Sequence, residues 1–552
     1  MKKLNKIFSM SEVEKTLKNQ KLIFAFLNSS DKKDSLHQHY YLLLKKLFGR
    51  TIIFDPLKIM DFYGHKKMQE IFLSLIKKEK PEYIFLNGRR DELTIGTIEK
   101  IKKISSNIKI IAVTGDDDRH FESLQRYIAL FIDCTLSHHP NYLKRYYQDG
   151  IMNVHTALAI NTEILKPINT KKIYNVSFVG NAIEERVKTM RFLIKNKINL
   201  KIIGNRWQNY PEFKEFCLGY LSPEEAGKII NQTKINLSLS KDKDGKPCFN
   251  WRFFEISACN SFSLVDYFKG YLDYFKNNKE IVMFKDNQDL LKKINYYLSH
   301  EKEREEIAEN AYKKVIKNHD ALKDFKLLFK KIIENPERFS QKFPQIKEKS
   351  IILKKEYFEK SNKEIEESLK KFDYISFSDG NSEPLKYKNY LQVYSLDKTG
   401  KEISCCDYYA YDRVLGDYLT SNVFRAFPIL KTDKFNQAIS INQIAVAKEY
   451  FIKNLNKFRE FFNGKKIDII NEKNTAFISI PLVKIKKINK MDLETFSIFF
   501  HQKNFIFDIN LLLKQKRLFT SCYLYRLIYI LLKNKVFRDF FIKFTKERLH
   551  FH

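Results

Sequence analysis

Short apolar runs alternate with segments of helical period over roughly the first 330 residues. Five apolar runs come first: Lys21–Asn28, Arg50–Pro56, Glu82–Gly88, Ile108–Asp118 and Leu130–Ser137. Segments with helical spacing, such as His37–Phe48 and Lys66–Lys78, lie between them. Strands that alternate with helices predict a parallel sheet covered on both faces, so this part of the chain is expected to be α/β.

The same alternation then starts again. The second set of apolar runs is Ile173–Asn181, Asn199–Asn205, Lys234–Ser240, Asn260–Tyr267 and Glu280–Phe284. Two helices, Asn287–Ser299 and Glu301–Lys317, are predicted to close this unit. We therefore predict two tandem Rossmann-like, doubly wound domains, 1–160 and 161–335. Ligands of such sheets bind beyond the carboxyl ends of the strands, so the cleft between the domains is the expected site.

The composition of the chain changes after the second domain. Pro336, Pro344 and several lysines indicate a linker over 336–350. An accessory α/β or α+β domain is predicted over 351–485, followed by a basic and aromatic helical tail over 486–552. The favoured interpretation of the tail is a helix packed on the preceding domain, and weak peripheral contact with an anionic membrane is also predicted.

The charge balance is strongly basic, with 99 Lys and Arg against 66 Asp and Glu. Such an excess suits phosphorylated substrates, anionic lipid or nucleic acid, and it also occurs in lysine-rich proteomes. The basic residues are spread along the chain and no nucleic-acid-binding motif is found, so no nucleic acid partner is expected. Seven scattered cysteines without a Cys-x-x-Cys spacing, and no long apolar run, indicate a cytoplasmic protein.

Glycines end two strands of the predicted second domain. Gly180 and Asn181 precede a helix that carries Arg186, and Gly204 precedes Arg206. A tight glycine turn at a helix N-terminus exposes N–H groups that suit a phosphate. The alternative is that these turns need glycine for their geometry alone.

Arg252 and Glu255 are three positions apart on a predicted helix that follows Asn250, so they share a helix face. One interpretation is a structural salt bridge. The other is that Arg252 binds a diphosphate while Glu255 accepts hydrogen bonds from sugar or ribose hydroxyls.

Candidate bases lie at strand ends of the first domain. They are Asp116, Asp117, Asp118, His120, His138 and His139. The aspartates are interpreted as a helix N-cap run, with a metal-type cluster as the alternative. The two neighbouring histidines are candidates for general base and equally for ordinary loop residues before Pro140.

The stretch from Asn250 to His319, beginning "NWRFFEISACNSFSLVDYFKG", resembles the C-terminal half of the CgeB-like glycosyltransferases, bacterial enzymes of the two-Rossmann GT-B architecture. The resemblance continues upstream through "YNVSFVGNAIEERV" and "CLGYLSPEEAGKIINQTKINLSLS", and covers about residues 22–333. It implies transfer of a sugar from a nucleotide-sugar donor, held by the second domain, to a surface glycan such as capsule, lipopolysaccharide or glycoprotein.

The resemblance also implies roles for particular residues. Glu255 would contact the donor ribose or sugar, and the backbone at Gly219 and Tyr220 would border the base. The diphosphate would be met by Arg186, Arg206 and Arg252, without a metal or other cofactor. Glu255, Asp116 and His138 are the candidate catalytic residues. Retaining relatives with a Glu-x7-Glu motif carry an acid where this chain has Pro247, so both stereochemical outcomes stay open.

Residues 350–485 faintly resemble a GT-A glycosyltransferase domain that has lost part of its motif. Of an Asp-x-Asp pair, only Asp379 remains, followed by Gly380 and Asn381. The alternative is a lineage-specific α/β module. For the whole chain, the alternatives to an enzyme are a nucleotide-sugar-binding or assembly protein without turnover and, less well supported, a basic nucleic-acid-binding protein.

Overall fold

A computed structural model describes most of the chain. The described residues are 7–26, 29–87, 93–115, 117–156, 160–240, 250–341, 343, 349–380, 382–412, 417–420, 441–463, 470, 471 and 473–485. The candidate base Asp116, Asn381 and the basic tail 486–552 lie outside the described residues.

The first sheet has six parallel strands in the order β2-β1-β3-β4-β5-β6. They are β1 Lys21–Ala25, β2 Arg50–Phe54, β3 Tyr83–Asn87, β4 Lys109–Thr114, β5 Cys134–Ser137 and β6 Val154–Thr156. The α-helices around it are α1 Met10–Lys18, α2 Leu42–Leu47, α3 Pro56–Glu79, α4 Ile95–Ile104, α5 Asp117–His120, α6 Arg126–Ile128 and α7 Leu143–Gln148. Two π-helical turns, His37–Tyr41 and Phe121–Gln125, and a 3₁₀ turn, Pro140–Tyr142, complete it. The five predicted strands are confirmed, and β6 is an addition.

Strand β1 shows why this sheet must be covered on both faces. Leu22, Phe24 and Phe26 belong to one apolar core, and Ile23 and Ala25 belong to another. Because successive side chains of a strand point to opposite faces, a run without polar residues is buried on both. The run of residues 22–26 is therefore continuously apolar because its alternate side chains are buried in two different cores.

The second sheet has five parallel strands in the order β11-β10-β9-β7-β8. They are β7 Tyr174–Val179, β8 Leu200–Ile203, β9 Thr233–Ser238, β10 Ser263–Asp266 and β11 Val282–Phe284. Its helices are α8 Glu184–Lys195, α9 Pro223–Asn231, α10 Arg252–Ala258, α11 Asn287–Ser299 and α12 Glu301–Asn318, with 3₁₀ turns at Trp207–Asn209, Pro211–Phe213 and Lys269–Asp273. The five predicted strands and both predicted closing helices are confirmed.

The next helix, α13 (Ala321–Glu334), returns from the second sheet to the first. Its residues Phe325, Leu328 and Phe329 lie in the core that contains Phe24 of β1. The outgoing and returning chains run side by side, since the Ile160 N–H donates to His319 O (2.8 Å) and the Ala321 N–H donates to Ile160 O (2.9 Å). The domain limits stay predictions, but α13 packs on the first sheet although its sequence falls within 161–335.

The third sheet is mixed, with the order β12-β13-β17-β15-β18-β14 and β16 paired to β15. Its strands are β12 Ser350–Leu353, β13 Tyr374–Phe377, β14 Ser382–Pro384, β15 Ile403–Asp412, β16 Asp417–Thr420, β17 Ile444–Ala447 and β18 Thr475–Ile485. The described helices are α14 Asn362–Ser368, α15 Lys388–Thr399, α16 Lys448–Lys453 and α17 Leu455–Phe462, with 3₁₀ turns at Lys355–Glu359 and Ile441–Gln443.

The third sheet and its helices pack against the first domain. Leu391 and Tyr394 of α15 lie in the same core as Tyr127. The Tyr127 hydroxyl donates to Ser395 Oγ (2.9 Å), and Lys386 pairs with Glu99 (2.6 Å) at the rim. The fold class is therefore confirmed: two Rossmann-like α/β domains with parallel sheets, and an extra domain of helices with a mixed sheet. Within the described residues, no helix is long and apolar enough to cross a membrane.

Phe329→Ala tests whether α13 is part of the first domain. Phe329 is fully buried, with ring centroids 5.0 Å from Phe48 and 5.2 Å from Tyr83. Removing such a ring leaves a cavity and is expected to cost about 3–5 kcal/mol of the free energy of unfolding. Leu327→Ala on the same helix, where the side chain is exposed, should cost about 0.5 kcal/mol or less. Thermal denaturation checks this, and equal melting temperatures for the two variants would contradict it.

Candidate active site

The first domain contributes a π-helical turn, His37–Tyr41, to the cleft between the two parallel sheets. This turn makes several contacts with the second domain. Gln38 Oε1 accepts from the Glu224 N–H (3.1 Å), and Gln38 O accepts from Asn161 Nδ2 (2.7 Å). A π-helical turn holds one more residue than an α-helical turn, and such turns are frequent at functional sites.

The second domain contributes α10, and Asn250 anchors its start. The Asn250 amide donates to Leu239 O just beyond β9 (2.9 Å), and its Oδ1 accepts from the Arg252 N–H (2.9 Å). Asn250, one residue before the N-cap Trp251, therefore fixes the start of the helix that carries Arg252 and Glu255. Its predicted donor contact stays a prediction, because both polar ends of the side chain already have backbone partners.

Glu255 lies between Arg252 of its own helix and a histidine of the first domain. Arg252 Nη1 pairs with Glu255 Oε2, and His39 Nε2 of the first domain lies 3.3 Å from Glu255 Oε1. The Glu255 side chain is only 8% exposed, and burial alone would raise its pKa. Arg252 and His39 outweigh burial and hold the pKa of Glu255 below its ordinary value. The salt-bridge interpretation is therefore correct for the observed state, and the pair also lies in the cleft.

His138 reaches the same cleft from the end of β5. Its Nε2 lies 2.5 Å from the Tyr40 hydroxyl, and its ring centroid lies 4.0 Å from that of Trp251 on the second domain. Burial, followed by the nearby His139 and His39, holds the pKa of His138 well below its usual range. His138 is therefore a neutral imidazole at neutral pH, with one ring nitrogen as a hydrogen-bond acceptor.

Two polar atoms at this junction are buried with neither a hydrogen-bond partner nor an ion-pair partner among the described residues. They are His39 Nδ1 and Trp251 Nε1, on rings whose centroids are 6.3 Å apart. Buried polar groups in native proteins are nearly always paired, so two such atoms on neighbouring rings indicate that another group completes the site.

The other first-domain candidates have structural contacts. Asp117 is fully buried and accepts hydrogen bonds from Tyr146 (2.8 Å), Thr114 (3.3 Å) and Ser137. Burial raises the pKa of Asp117 to about 6 despite these donors. His139 Nε2 lies 3.2 Å from Gly115 O. These two residues hold the ends of β4 and β5 together.

The three predicted glycines of the donor side form a close backbone stack. Gly204 has φ +144°, and a Cβ there would lie 2.2 Å from Gly180 O. The Gly204 N–H donates to Gly219 O (2.8 Å), and Gly219 has φ +74°. The packing alone therefore requires glycine at 204, because no side chain fits between these backbones. The donor contacts predicted for the stack stay predictions.

The remaining predicted donor residues are spread around this edge. Arg186 donates to Asn181 O (3.2 Å) and Leu239 O (3.3 Å), so it bridges the ends of β7 and β9. Asn181 Oδ1 accepts from the Asn205 N–H (3.0 Å). Tyr220 is half exposed and donates to Lys33 O of the first domain (3.0 Å). Arg206 is exposed and has φ +70°.

Sequence reasoning missed His39, Tyr40 and Trp251. A signal was present, since "HQHYY" directly follows β1 and its loop, and Trp251 adjoins Arg252. Among the described residues, no group of three or more His, Cys, Asp or Glu could hold a metal ion. Asp379 lies beyond β13, where its N–H donates to Asn442 Oδ1 (2.8 Å).

Comparison with known proteins gives a family match and a curated relative. Residues 185–326 match a family model described as glycosyl transferase-like. Spore protein CgeB of Bacillus subtilis (strain 168) is 22% identical over 220 residues, which cover 36% of this chain and 68% of that protein.

Two solved structures also align with the chain. A glycosyltransferase from Rickettsia africae ESF-5 has 14% identity and a TM-score of 0.43, and covers 57% of this chain and 100% of its own. HepE of Anabaena, crystallised with UDP and glucose, has 12% identity and a TM-score of 0.42, and covers 58% of this chain and 100% of its own.

The family match over residues 185–326, together with the two parallel sheets and the cleft between them, supports a glycosyltransferase enzyme with the two-Rossmann GT-B architecture. The similarity to CgeB supports a CgeB-like glycosyltransferase, as the resemblance of residues 250–319 predicts.

The Asp117→Asn variant tests the structural role of Asp117. The folded-state pKa of Asp117, about 6, exceeds the ordinary 3.8, so folding favours the protonated carboxyl. Its stabilising contribution is complete below pH 3.8 and is lost as the pH rises through about 6. A pKa difference of about 2 corresponds to about 3 kcal/mol.

Asparagine does not titrate. The free energy of unfolding of the variant, relative to that of the native chain, should therefore rise by about 3 kcal/mol as the pH increases from about 4 to about 8. Chemical denaturation across that range measures the difference. A constant difference at all pH values would contradict the buried, raised-pKa carboxyl.

Proposed function

We propose that this protein transfers a sugar from a nucleotide-sugar donor, bound by the second domain, to a glycan acceptor bound against the first domain. The unpaired His39 Nδ1 and Trp251 Nε1 carry this proposal. Trp Nε1 is only a donor, and His39 Nδ1 is an acceptor when the Nε2 proton faces Glu255. A hydroxyl group, which both accepts and donates, can satisfy the two atoms together, and sugars are rich in hydroxyls.

The charges of the cleft suit a nucleotide-sugar. Arg252 is partly exposed (23%) and its guanidinium has several donors, of which Nη1 engages Glu255. The free donors suit a diphosphate, because charge-assisted hydrogen bonds to oxyanions are strong. Glu255 remains ionised, so its carboxylate suits the hydroxyls of the ribose or the sugar. The start of α8, beside Gly180 and Asn181, and the side chains of Arg186 and Arg206 add positive potential on the donor side.

The acceptor side is the first domain. His138, held neutral by burial, and Asp116, outside the described residues, are proposed to receive the acceptor proton or to orient the acceptor. Glu255 acts from the donor side, so the proposal is compatible with inversion or retention at the anomeric carbon. His39 is proposed as a positioning residue for Glu255, because its Nε2 faces the Glu255 carboxylate.

The finer parts of the proposal concern the acceptor and the place of action. We propose a surface glycan, such as capsule, lipopolysaccharide or glycoprotein, as the acceptor. We further propose action in the cytoplasm, with weak peripheral contact to anionic membranes through the tail 486–552. The basic and aromatic composition of the tail and the net charge of +33 support this part.

Variants of α10 test the donor site. Glu255→Gln keeps the shape of the side chain and removes its charge, so transfer should fall by about one to three orders of magnitude in kcat/KM. Arg252→Ala should mainly weaken binding of the nucleoside diphosphate, since its expected partner is the diphosphate. Transfer and donor hydrolysis over a panel of nucleotide-sugars, with isothermal titration of the diphosphate, measure both effects.

The chain offers a matched control for these variants. Arg191 and Glu212 form an exposed ion pair in the same domain (2.7 Å), away from α10. Arg191→Ala and Glu212→Gln should leave both turnover and affinity unchanged. Equal activity of Glu255→Gln and Glu212→Gln would reject the role of Glu255. Donor binding by the native chain without any turnover would favour a nucleotide-sugar-binding protein instead.

We also propose that transfer needs no metal ion, because basic side chains and helix N-termini can stabilise the leaving diphosphate. Activity should therefore persist in excess EDTA. Complete loss of activity that added Mg²⁺ or Mn²⁺ restores would contradict this, and would direct attention to Asp379 or to the Asp116–Asp118 run.

A further inference from the structure

A cavity of about 270 Å³ lies at the edge of the first sheet, and its lining contains none of the cleft residues described above. It is bordered by β6, α7, α13 and the segment that follows α13. Its lining residues are Leu143, Tyr147, Val154, His155, Thr156, Asp324, Leu327, Lys331, Arg338 and Phe339. None of them belongs to the predicted or observed donor site.

A buried acceptor is available in the wall of this cavity. His155, only 8% exposed, lies with Nε2 at 3.3 Å from Asp324 Oδ1 and with Nδ1 at 3.4 Å from Lys331 Nζ. Since the lysine only donates, Nδ1 is the acceptor and the Nε2 proton faces Asp324. Asp324 Oδ2 is buried and has no hydrogen-bond partner among the described residues. An unpaired buried carboxylate oxygen is costly, and a ligand that donates a hydrogen bond would satisfy it.

Two cations, Lys331 and Arg338, also line this cavity. Arg338 donates to Met152 O and to the Tyr147 hydroxyl, both at 3.3 Å. In the described part of the chain, neither Arg338 nor Lys331 forms an ion pair with a carboxylate. The neighbouring lysines of α13 differ, because Lys326 pairs with Glu14 (2.5 Å) and Lys330 with Glu334 (3.8 Å). Lys331 of α13 and Arg338 beyond its end therefore bring two positive charges without a described carboxylate partner to the cavity.

The rest of the lining is apolar, with Leu143, Val154, Leu327 and Phe339. The ligand that fits has an apolar face, hydroxyl donors for Asp324 Oδ2, and an anionic group for Lys331 and Arg338. A volume of 270 Å³ is just below the range of about 300–1,000 Å³ that is usual for small-molecule sites, which limits the ligand to about one sugar ring.

We propose that this cavity is a second carbohydrate site, which binds a single sugar unit carrying a phosphate or a carboxylate. The unit is either a free sugar or one residue of an anionic glycan. The proposal is independent of the transfer reaction, since it rests on groups that the reaction does not use.

Isothermal titration of the full chain tests the site with four probes: glucose 6-phosphate, glucuronate, glucose and inorganic phosphate. The two anionic sugars should bind at least about tenfold more tightly than glucose, because only they engage both cations, and more tightly than inorganic phosphate, which has no sugar hydroxyls. Affinity for inorganic phosphate equal to that for the sugar phosphate would overturn the proposal.

Variants assign the binding to this cavity. Lys331→Ala and Arg338→Ala should each weaken binding of the anionic sugars by about tenfold, and Asp324→Asn should weaken it as well. Lys326→Ala and Lys330→Ala, on the same helix, are the matched controls and should bind as the native chain does. Arg252→Ala should also retain this binding, which separates the cavity from the cleft. Loss with Arg252→Ala, or equal affinity in all the lysine variants, would overturn the proposal.

A free sugar and a glycan residue are distinguished by a competing polymer. An oligosaccharide with one terminal acidic sugar should displace glucose 6-phosphate if the site takes glycan ends. Failure to displace it assigns the site to free sugars, which the proposal includes. Binding of neither the free anionic sugars nor the oligosaccharide would contradict it.

Discussion

Both faces of the six-stranded sheet are apolar, and the rest of the structure depends on how they are covered. One face packs against α1, α2 and α13, and the other packs against α3, α4 and the third domain. The chain must leave for the second sheet and come back, because α13 completes the first core only after the second domain has been built. The paired backbone of Ile160 and Asp320 brings the outgoing and returning segments together.

This double crossing holds the two sheets at a common cleft. The π-helical turn after β1 then lies against the second domain, and it brings His39 to Glu255 and Tyr40 to His138. These contacts are buried and polar, and their net contribution to stability is small once desolvation is counted. We therefore interpret its importance as functional: the charges and the unpaired ring nitrogens occupy the place where donor and acceptor must meet.

The third domain shares the core of the first through α15, so it is an integral part of the packing. Tyr394 and Tyr127 both lie in that core, with ring centroids 6.0 Å apart. In the described part of the chain, β6 is an edge strand of the first sheet, and it borders the cavity lined by His155 and Asp324. Both faces of the first sheet are therefore covered by apolar packing. The polar groups available for binding lie in the cleft between the two parallel sheets and at the edge strand β6.

The sequence by itself determined the strands, because residues buried on both faces, such as those of β1, form continuous apolar runs. The sequence also identified Arg252 and Glu255 as a pair, because a spacing of three positions places both side chains on one face of a helix. It missed β6, which has only three residues and includes His155.

Only the tertiary structure decided which residues face each other across the cleft. His39 and Glu255 are more than 200 positions apart, and no local pattern records such a pairing. For the same reason the sequence did not show which sheet α13 packs on. The amphipathic pattern of a helix shows that it covers a core but not which core it covers. Periodicity is a local property of the chain, whereas a site between domains depends on contacts that form only when both sheets are complete.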